Sequence, residues 1–148
     1  MMSEKDGNQT LLRESGGRVK LPQEAETILL VEDDEMVRQI TREVLELQGY
    51  RVLEAVNGKD ALDLCKNYGS PIDLVMTDVI MPQMGGRELA EKLAWLRPEA
   101  KVLYMSGYTD GAILHHGALD QRLYFLEKPF DPNALVEKIR EVLDWPQI

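Results

Sequence analysis

Carboxylate, hydroxyl and ammonium side chains follow short apolar segments at four places along the chain. Asp33 and Asp34 follow the first such segment, Asp78 ends the third, Ser106 ends the fourth and Lys128 follows the fifth. Carboxylates that share one site repel each other by several kcal/mol at an effective dielectric constant of about 20, so they need a cation to coexist. Carboxylate oxygens without a nearby His or Cys favour a hard divalent ion. The sequence therefore predicts a Mg²⁺ site, provided that the fold brings the three carboxylates together.

The same side chains suit phosphoryl transfer. A carboxylate can act as a nucleophile and form an aspartyl phosphate. A metal ion, an ammonium group and a hydroxyl can then stabilise the charge on the transferred group. We predict that Asp78 is the nucleophile, because it ends a central strand below an open loop. We expect Asp34 to bind the metal directly, Asp33 to bind it through water, and the backbone carbonyl of Ile80 to complete the protein ligands.

The elements that must position these residues alternate between strand and helix from Thr27 onward. Short, mainly apolar runs predict strands at residues 28–31, 52–56, 74–78, 102–105 and 123–126, and the wholly apolar run at 28–31 is typical of a strand buried on both faces. Apolar residues at helical spacing follow most of these strands, and a weaker pattern predicts a short helix from Asp110 to His116. Asp131 and Pro132 are a good N-cap and a good first residue for the final helix.

Five strand-then-helix units predict an α/β fold, in which helices cover both faces of a five-stranded parallel sheet. We predict the flavodoxin-like strand order 2-1-3-4-5, which makes the first and third strands neighbours at the ligand-binding edge of the sheet. Residues 1–26 are polar and contain glycine, without a period that could bury one face, so they are predicted to be a flexible leader or linker. The folded domain is then expected to span residues 27–145.

Composition excludes several classes of partner. The 148 residues include 17 Lys and Arg against 26 Asp and Glu, which gives a net charge of −9. This balance argues against a nucleic acid or an anionic membrane surface as the main partner. Cys65 is the single cysteine, which excludes an internal disulfide, and its helical pattern predicts a small core residue. No apolar run approaches the ~18 residues that a membrane-spanning helix needs, so we expect a cytoplasmic protein without membrane insertion.

Residues 27 to about 144 resemble a receiver domain of bacterial two-component signalling. The resemblance rests on VEDD at residues 31–34, DVIMP at 78–82 with a glycine at 86, MSG at 105–107 and KPF at 128–130. It implies that Asp78 is the phosphoacceptor and that Asp33 and Asp34 form an acidic pair. It further implies that Ser106 is a switch hydroxyl, that Phe125 is a switch aromatic residue and that Lys128 contacts the phosphoryl group. It also implies a cis peptide bond between Lys128 and Pro129.

Two further segments are similar to the receivers at the C-terminus of hybrid sensor histidine kinases, MGGREL at residues 84–89 and SGYT at 106–109. Residues 16–22 resemble the closing strand of a kinase ATP-binding domain, or they are an unrelated leader. The resemblance implies a histidine kinase or a histidine phosphotransfer protein as partner, and a monomer or weak dimer. It implies a signalling domain that assists its own phosphorylation and dephosphorylation rather than an enzyme. The expected docking surface comprises the predicted fourth helix, the fifth strand and the final helix.

Other functions fit the sequence less well. A Mg²⁺-dependent phosphohydrolase with an aspartyl nucleophile shares this chemistry, but such enzymes usually carry a second acid two residues after the nucleophile, where this chain has Ile80. A nucleotide-binding module would need a glycine-rich loop after the first strand. A degenerate receiver that serves only as a scaffold would lack a site residue. His115 and His116 are adjacent on a predicted helix, so they point in different directions and make a poor metal site.

Overall fold

The computed structural model describes residues 25–107 and 124–145. The predictions for residues 1–24, for the short helix from Asp110 to His116 and for the start of the fifth strand at Leu123 lie outside the described residues. Within residues 25–107, strands and helices alternate along the chain as the apolar pattern predicts, and a helix follows the strand in residues 124–145. The elements are β1 (Thr27–Val31), α1 (Glu35–Leu47), β2 (Arg51–Ala55), α2 (Gly58–Asn67), β3 (Leu74–Asp78), α3 (Gly86–Leu96), β4 (Lys101–Ser106), β5 (Tyr124–Glu127) and α4 (Pro132–Asp144).

The five strands form one parallel sheet in the order β2-β1-β3-β4-β5. This order and the α/β class confirm the prediction. In the pairing of β1 with β3, Val31 lies opposite Thr77. Glu32 follows Val31, and Asp78 follows Thr77. These two acids therefore lie side by side at the end of the two strands. The register of two apolar strands thus positions the acidic residues that follow them.

Alternate residues of β1 face opposite sides of the sheet, and each side has its own core. Ile28 and Leu30 pack on one side with apolar residues of α1 and α4, such as Leu45 and Ile139. On the other side, β1 packs with apolar residues of α2 and α3; this second core includes Leu29, Val31, Ala61, Cys65, Leu89 and Leu93. Cys65 is buried, as the helical pattern predicts. The central strand β3 is buried along its whole length, which confirms the interpretation of its apolar run.

Side-chain caps determine where two of the helices begin. The carboxylate of Asp131 accepts a hydrogen bond from the backbone N–H of Ala134 at 2.7 Å, which confirms it as the N-cap of α4. The carboxylate of Asp34 does the same for Val37 at 3.0 Å and is the N-cap of α1. An aspartate in this position accepts a hydrogen bond from one of the free N–H groups of the first turn. Its negative charge also interacts favourably with the positive end of the helix dipole.

Glu26, which lies one residue before the predicted boundary, contacts two elements of the domain. Both guanidinium N–H₂ groups of Arg140, on α4, lie 3.2 Å from carboxylate oxygens of Glu26. The backbone carbonyl of Glu26 accepts a hydrogen bond from Arg51 at 2.9 Å. The chain therefore enters the sheet already attached to α4 and β2. None of the helices within residues 25–107 and 124–145 combines the length and the apolar composition needed to cross a membrane.

Candidate functional site

The site lies at the carboxyl edge of the sheet, where β1 and β3 end beside each other. Glu32 follows β1 directly and is almost fully buried, at 1% exposure. Its backbone N–H donates to the carbonyl of Ala55, which continues the pairing of β1 with β2. Asp78 is the last residue of β3 and is 8% exposed. The buried sheet thus delivers two acids to one small space, which is an electrostatic cost that a structural role alone does not explain.

Three carboxylates form a compact acidic group at this edge. Oxygens of Glu32, Asp33 and Asp78 all lie within 4.8 Å of one another, and Asp33 is exposed whereas the other two are buried. Carboxylate oxygens at this spacing fit a hard divalent cation, and Mg²⁺ prefers a site that provides a few carboxylates and leaves room for water. The exposed Asp33 leaves one side of the group open to solvent. The donor set therefore fits the Mg²⁺ ion expected from the sequence.

The structure does not bring Asp34 into this group. Its carboxylate caps α1, and its backbone N–H donates to the Glu32 carboxylate at 3.1 Å. The acidic pair beside Asp78 is therefore Glu32 and Asp33, rather than Asp33 and Asp34 as the sequence reasoning expected. The sequence did carry a signal for this assignment, because an aspartate directly before a helical apolar pattern is typical of an N-cap.

Lys128 contacts both buried acids of the group. Its Nζ lies 2.5 Å from Oε1 of Glu32 and 2.7 Å from Oδ1 of Asp78. The backbone N–H of Lys128 donates to the carbonyl of Ser106 at 2.7 Å, which attaches the end of β5 to the end of β4. The peptide bond between Lys128 and Pro129 is cis, as the resemblance implies. One ammonium group thus partly neutralises three carboxylates.

Burial controls the protonation of the two groups at the centre of the site. Burial raises the pKa of Asp78 to about 7, and the negative charge of Glu32 adds to this effect. The hydrogen bond from Lys128 opposes it but is not sufficient. Burial also disfavours the charged form of Lys128, yet its hydrogen bonds to the two carboxylates outweigh burial and raise its pKa. Without a further cation, the site keeps its lysine charged and tends to hold a proton on Asp78.

The other predicted site residues lie on neighbouring elements. Ser106 ends β4 and is buried at 4% exposure. Phe125 is half-buried on β5 and lies opposite Tyr104 of β4, with 6.3 Å between the ring centroids. Ile80 is 51% exposed in the segment that follows β3. Strands β3, β4 and β5 therefore place Asp78, Ser106 and Lys128 at a common edge, as the sequence predicts.

Comparison with known proteins gives consistent results. The family described as "Response regulator receiver domain" matches residues 28–140. The sensor kinase CckA of Brucella abortus (strain 2308) is 36% identical over 118 residues, which are 80% of this chain and 12% of the kinase. The response regulator receiver protein CpdR of the same organism is 33% identical over 116 residues, which are 78% of this chain and 95% of CpdR. The chain thus matches a small part of one relative and nearly all of the other.

Solved structures are similar over the same part of the chain. The crystal structure of the receiver domain from the hybrid histidine kinase CckA has a TM-score of 0.68 at 32% identity, covering 80% of this chain and 99% of that chain. A CheY-like response regulator receiver domain from Methanospirillum hungatei JF-1 has the same TM-score and identity, covering 81% and 94%.

Proposed function

Because the chain belongs to the family of response regulator receiver domains, we propose that Asp78 accepts a phosphoryl group from a histidine kinase or a histidine phosphotransfer protein. A carboxylate oxygen of Asp78 attacks the phosphorus atom of a phosphohistidine. The new O–P bond forms as the P–N bond breaks, and the imidazole nitrogen keeps the electron pair and takes a proton from solvent. The domain acts as a signalling element that assists this transfer and the later hydrolysis of its own acyl phosphate.

The observation that carries this proposal is the environment of the Asp78 carboxylate. It lies within 4.8 Å of two further carboxylates and 2.7 Å from the Lys128 ammonium group. Mg²⁺ held by Glu32, Asp33 and Asp78, with the backbone carbonyl of Ile80 as a further ligand, would supply positive charge for the carboxylate and the incoming phosphoryl oxygens. In the proposed reaction Asp78 must be deprotonated to attack, although its pKa without such a cation is about 7.

Lys128 has a second task in this proposal. Its raised pKa keeps it charged, and its Nζ already lies within contact distance of the attacking carboxylate. An ammonium group in this position can bind a phosphoryl oxygen as soon as the O–P bond forms, which stabilises the charge of the transferred group. The hydroxyl of Ser106, at the same edge, would donate a hydrogen bond to another phosphoryl oxygen.

Ser106 and Phe125 are the residues through which phosphorylation would reach the surface. A hydrogen bond from Ser106 to the phosphoryl group would draw the end of β4 toward Asp78, and Phe125 on the adjacent β5 would move to a more buried position. The surface changed would include β5 and the final helix, α4. It would also include the short helix predicted from Asp110 to His116, which lies outside the described residues. NMR spectra with and without beryllofluoride should differ at Phe125 in wild type but not in Ser106→Ala; identical spectra at Phe125 in the wild type would contradict this switch.

The central experiment is phosphorylation by acetyl phosphate in the presence of Mg²⁺, followed by intact-mass spectrometry. The wild-type protein should gain one phosphoryl group that is stable in acid and lost in base. Asp78→Asn should gain none, whereas the control variant Asp63→Asn, which changes an exposed aspartate of α2, should behave as wild type. A phosphoryl group on Asp78→Asn would contradict the assignment. Turnover of a phosphomonoester, in addition to acetyl phosphate, would favour a phosphohydrolase.

A further inference from the structure

Polar contacts hold both groups of the peptide unit between Asp78 and Val79. The hydroxyl of Thr77 donates to the carbonyl oxygen of Asp78 at 3.0 Å. The N–H of Val79 donates to the carbonyl of Met105, on β4, at 3.1 Å. One residue further along, the carbonyl of Val79 accepts a hydrogen bond from the N–H of Gly86 at 2.8 Å. The segment between β3 and α3 therefore forms a loop that begins after Asp78 and is closed by the hydrogen bond between Gly86 and Val79.

No room for a side chain exists between Gly86 and the Asp78 carbonyl. A Cβ atom on Gly86 would lie 2.2 Å from the carbonyl oxygen of Asp78 and 3.1 Å from the carbonyl carbon. Cβ atoms do not approach backbone oxygens so closely, so any side chain here would push the Asp78 peptide away from its place. Gly69 gives the contrast, because a Cβ there would meet nothing within 4 Å. The first residue of α3 is thus limited to glycine by the closeness of Asp78.

Thr77 has its hydroxyl in a fully buried position. The residue has no exposed surface, and residues 74–76, which precede it on β3, are apolar and belong to the two cores. A buried hydroxyl costs free energy unless it finds a partner, and valine would fill the same volume without that cost. The partner found is the carbonyl of Asp78, with Sδ of Met81 at 3.8 Å as a second neighbour.

We propose that Thr77 and Gly86 are positioning residues for the phosphoacceptor. The carbonyl of Asp78 shares its Cα atom with the carboxylate, so fixing the orientation of the 78–79 peptide fixes both the carboxylate and the start of the segment that leads to the Ile80 carbonyl. Thr77 holds the carbonyl oxygen by a hydrogen bond, and Gly86 leaves the space that this oxygen occupies free of a side chain. This inference rests on the proposed function of Asp78, and it concerns residues that themselves contact neither the metal nor the phosphoryl group.

The first test compares Thr77→Val with Thr77→Ser. A displacement of about 1 Å in a reacting group can lower a rate by about 100-fold, and loss of one hydrogen bond should cause a smaller displacement. We expect Thr77→Val to lower the rate constant of phosphorylation by acetyl phosphate at saturating Mg²⁺ about tenfold, and Thr77→Ser to restore it to within about twofold of wild type. A wild-type rate for Thr77→Val, or a rate for Thr77→Ser as low as that of Thr77→Val, would overturn the proposal.

The second test compares Gly86→Ala with the matched control Gly69→Ala. Both changes add one methyl group, but only the first meets the Asp78 backbone. We expect Gly86→Ala to slow phosphorylation about 100-fold and Gly69→Ala to leave it unchanged. A folded Gly86→Ala with the wild-type rate would overturn the role of Gly86. If circular dichroism shows that Gly86→Ala does not fold, the Thr77 variants decide for the proposal as a whole.

A metal titration makes the test independent of phosphorylation. Thr77→Val should weaken Mg²⁺ binding severalfold in a calorimetric titration, because Asp78 belongs to the acidic group, and Thr77→Ser should restore it. A wild-type protein that gains no phosphoryl group would contradict the proposed function, whatever the variants do. A phosphorylated wild type with Thr77→Val equal to it in both rate and Mg²⁺ affinity would contradict only the positioning role.

Discussion

The two edges of the sheet both collect charged side chains, but the balance of charge differs between them. At the amino edge, where the strands begin, Arg140 lies 2.8 Å from a carboxylate oxygen of Asp144 and 3.2 Å from Glu26. At the carboxyl edge, the ammonium group of Lys128 contacts the two buried carboxylates in a group of three. At the first edge one guanidinium group contacts two partly exposed carboxylates, whereas the second edge leaves a larger excess of negative charge at mostly buried positions.

The contacts of the amino edge stabilise the fold. The carboxylate of Asp144 accepts hydrogen bonds from Arg140 and, together with Glu26, raises the pKa of Arg140 despite partial burial. Lys101, at the start of β4, donates from its Nζ to backbone carbonyls at the end of α4, which has no basic residue in its last turn; the acceptors are Val142, Leu143 and Trp145. A cation at the C-terminus of a helix donates hydrogen bonds to free carbonyl groups and interacts favourably with the negative end of the helix dipole.

Excess negative charge at buried positions, rather than charge itself, distinguishes the candidate site. We expect an added cation to stabilise the carboxyl edge and to change its protonation, and to have little effect at the amino edge. Asp78 has a pKa of about 7 because burial and Glu32 outweigh Lys128. If the two edges differ in this way, changes at each edge should have opposite effects on stability and only one edge should respond to Mg²⁺.

The largest expected effect is on stability without metal. Burial raises the pKa of Asp78 in the folded state from 3.8 to about 7, so the unfolded state loses the proton first as the pH rises. The carboxylate therefore begins to destabilise the fold above about pH 4, and the effect is complete above about pH 7. Asp78→Asn should raise the free energy of unfolding at pH 8 by about 2 to 4 kcal/mol, and by little near pH 4. Urea unfolding in EDTA across this pH range measures the difference.

The control for this prediction is a change at the amino edge. Arg140→Gln removes a partner from Glu26 and Asp144 and should lower the free energy of unfolding by about 0.5 to 1 kcal/mol, because the ion pairs are partly exposed. The loss should be similar at pH 6 and pH 8. A destabilised Asp78→Asn at pH 8, or a gain in stability for Arg140→Gln, would contradict the contrast between the edges.

The next largest effect is on metal binding. Asp33→Asn replaces a carboxylate of the acidic group with a neutral amide, so the dissociation constant for Mg²⁺ should rise at least tenfold. This corresponds to a loss of about 1.4 kcal/mol in the free energy of binding. Isothermal titration calorimetry measures this constant directly. Arg140→Gln changes a charge at the opposite edge and should leave it unchanged. Equal Mg²⁺ affinity in Asp33→Asn and wild type would show that the acidic group is not the metal site.

The sequence predicts much of this arrangement, and the exceptions have physical causes. Each strand is short and has an apolar centre, and a polar or charged residue lies at or just after the end of β1, β3, β4 and β5, so the order of the sheet, its class and the positions of Asp78 and Lys128 follow from pattern alone. The family predicted from these motifs is also confirmed. The contact between Arg140 and Glu26 joins residues that are 114 positions apart, and no local pattern indicates it.

The choice among three consecutive acids was the other point that pattern did not decide. Glu32, Asp33 and Asp34 are equivalent in charge, and their roles depend on the register of β1 against β3 and on where α1 begins. Val31 lies opposite Thr77, which places Glu32 beside Asp78. One residue of difference therefore separates Asp33, the exposed member of the acidic group, from Asp34, the helix cap.

The smallest expected effect tests this one-residue distinction. If Asp34 acts only as the N-cap of α1, Asp34→Ala should lower the free energy of unfolding by about 1 kcal/mol. Asp34→Asn should keep wild-type stability, because asparagine is an equally good N-cap. Both variants should bind Mg²⁺ within about threefold of wild type at 0.15 M salt, because solvent and ions screen an exposed charge that is not a ligand. Thermal unfolding and calorimetric titration of the two variants, beside Asp33→Asn, measure these effects. A tenfold loss of Mg²⁺ affinity in Asp34→Asn would instead identify Asp34 as the ligand that sequence reasoning expected.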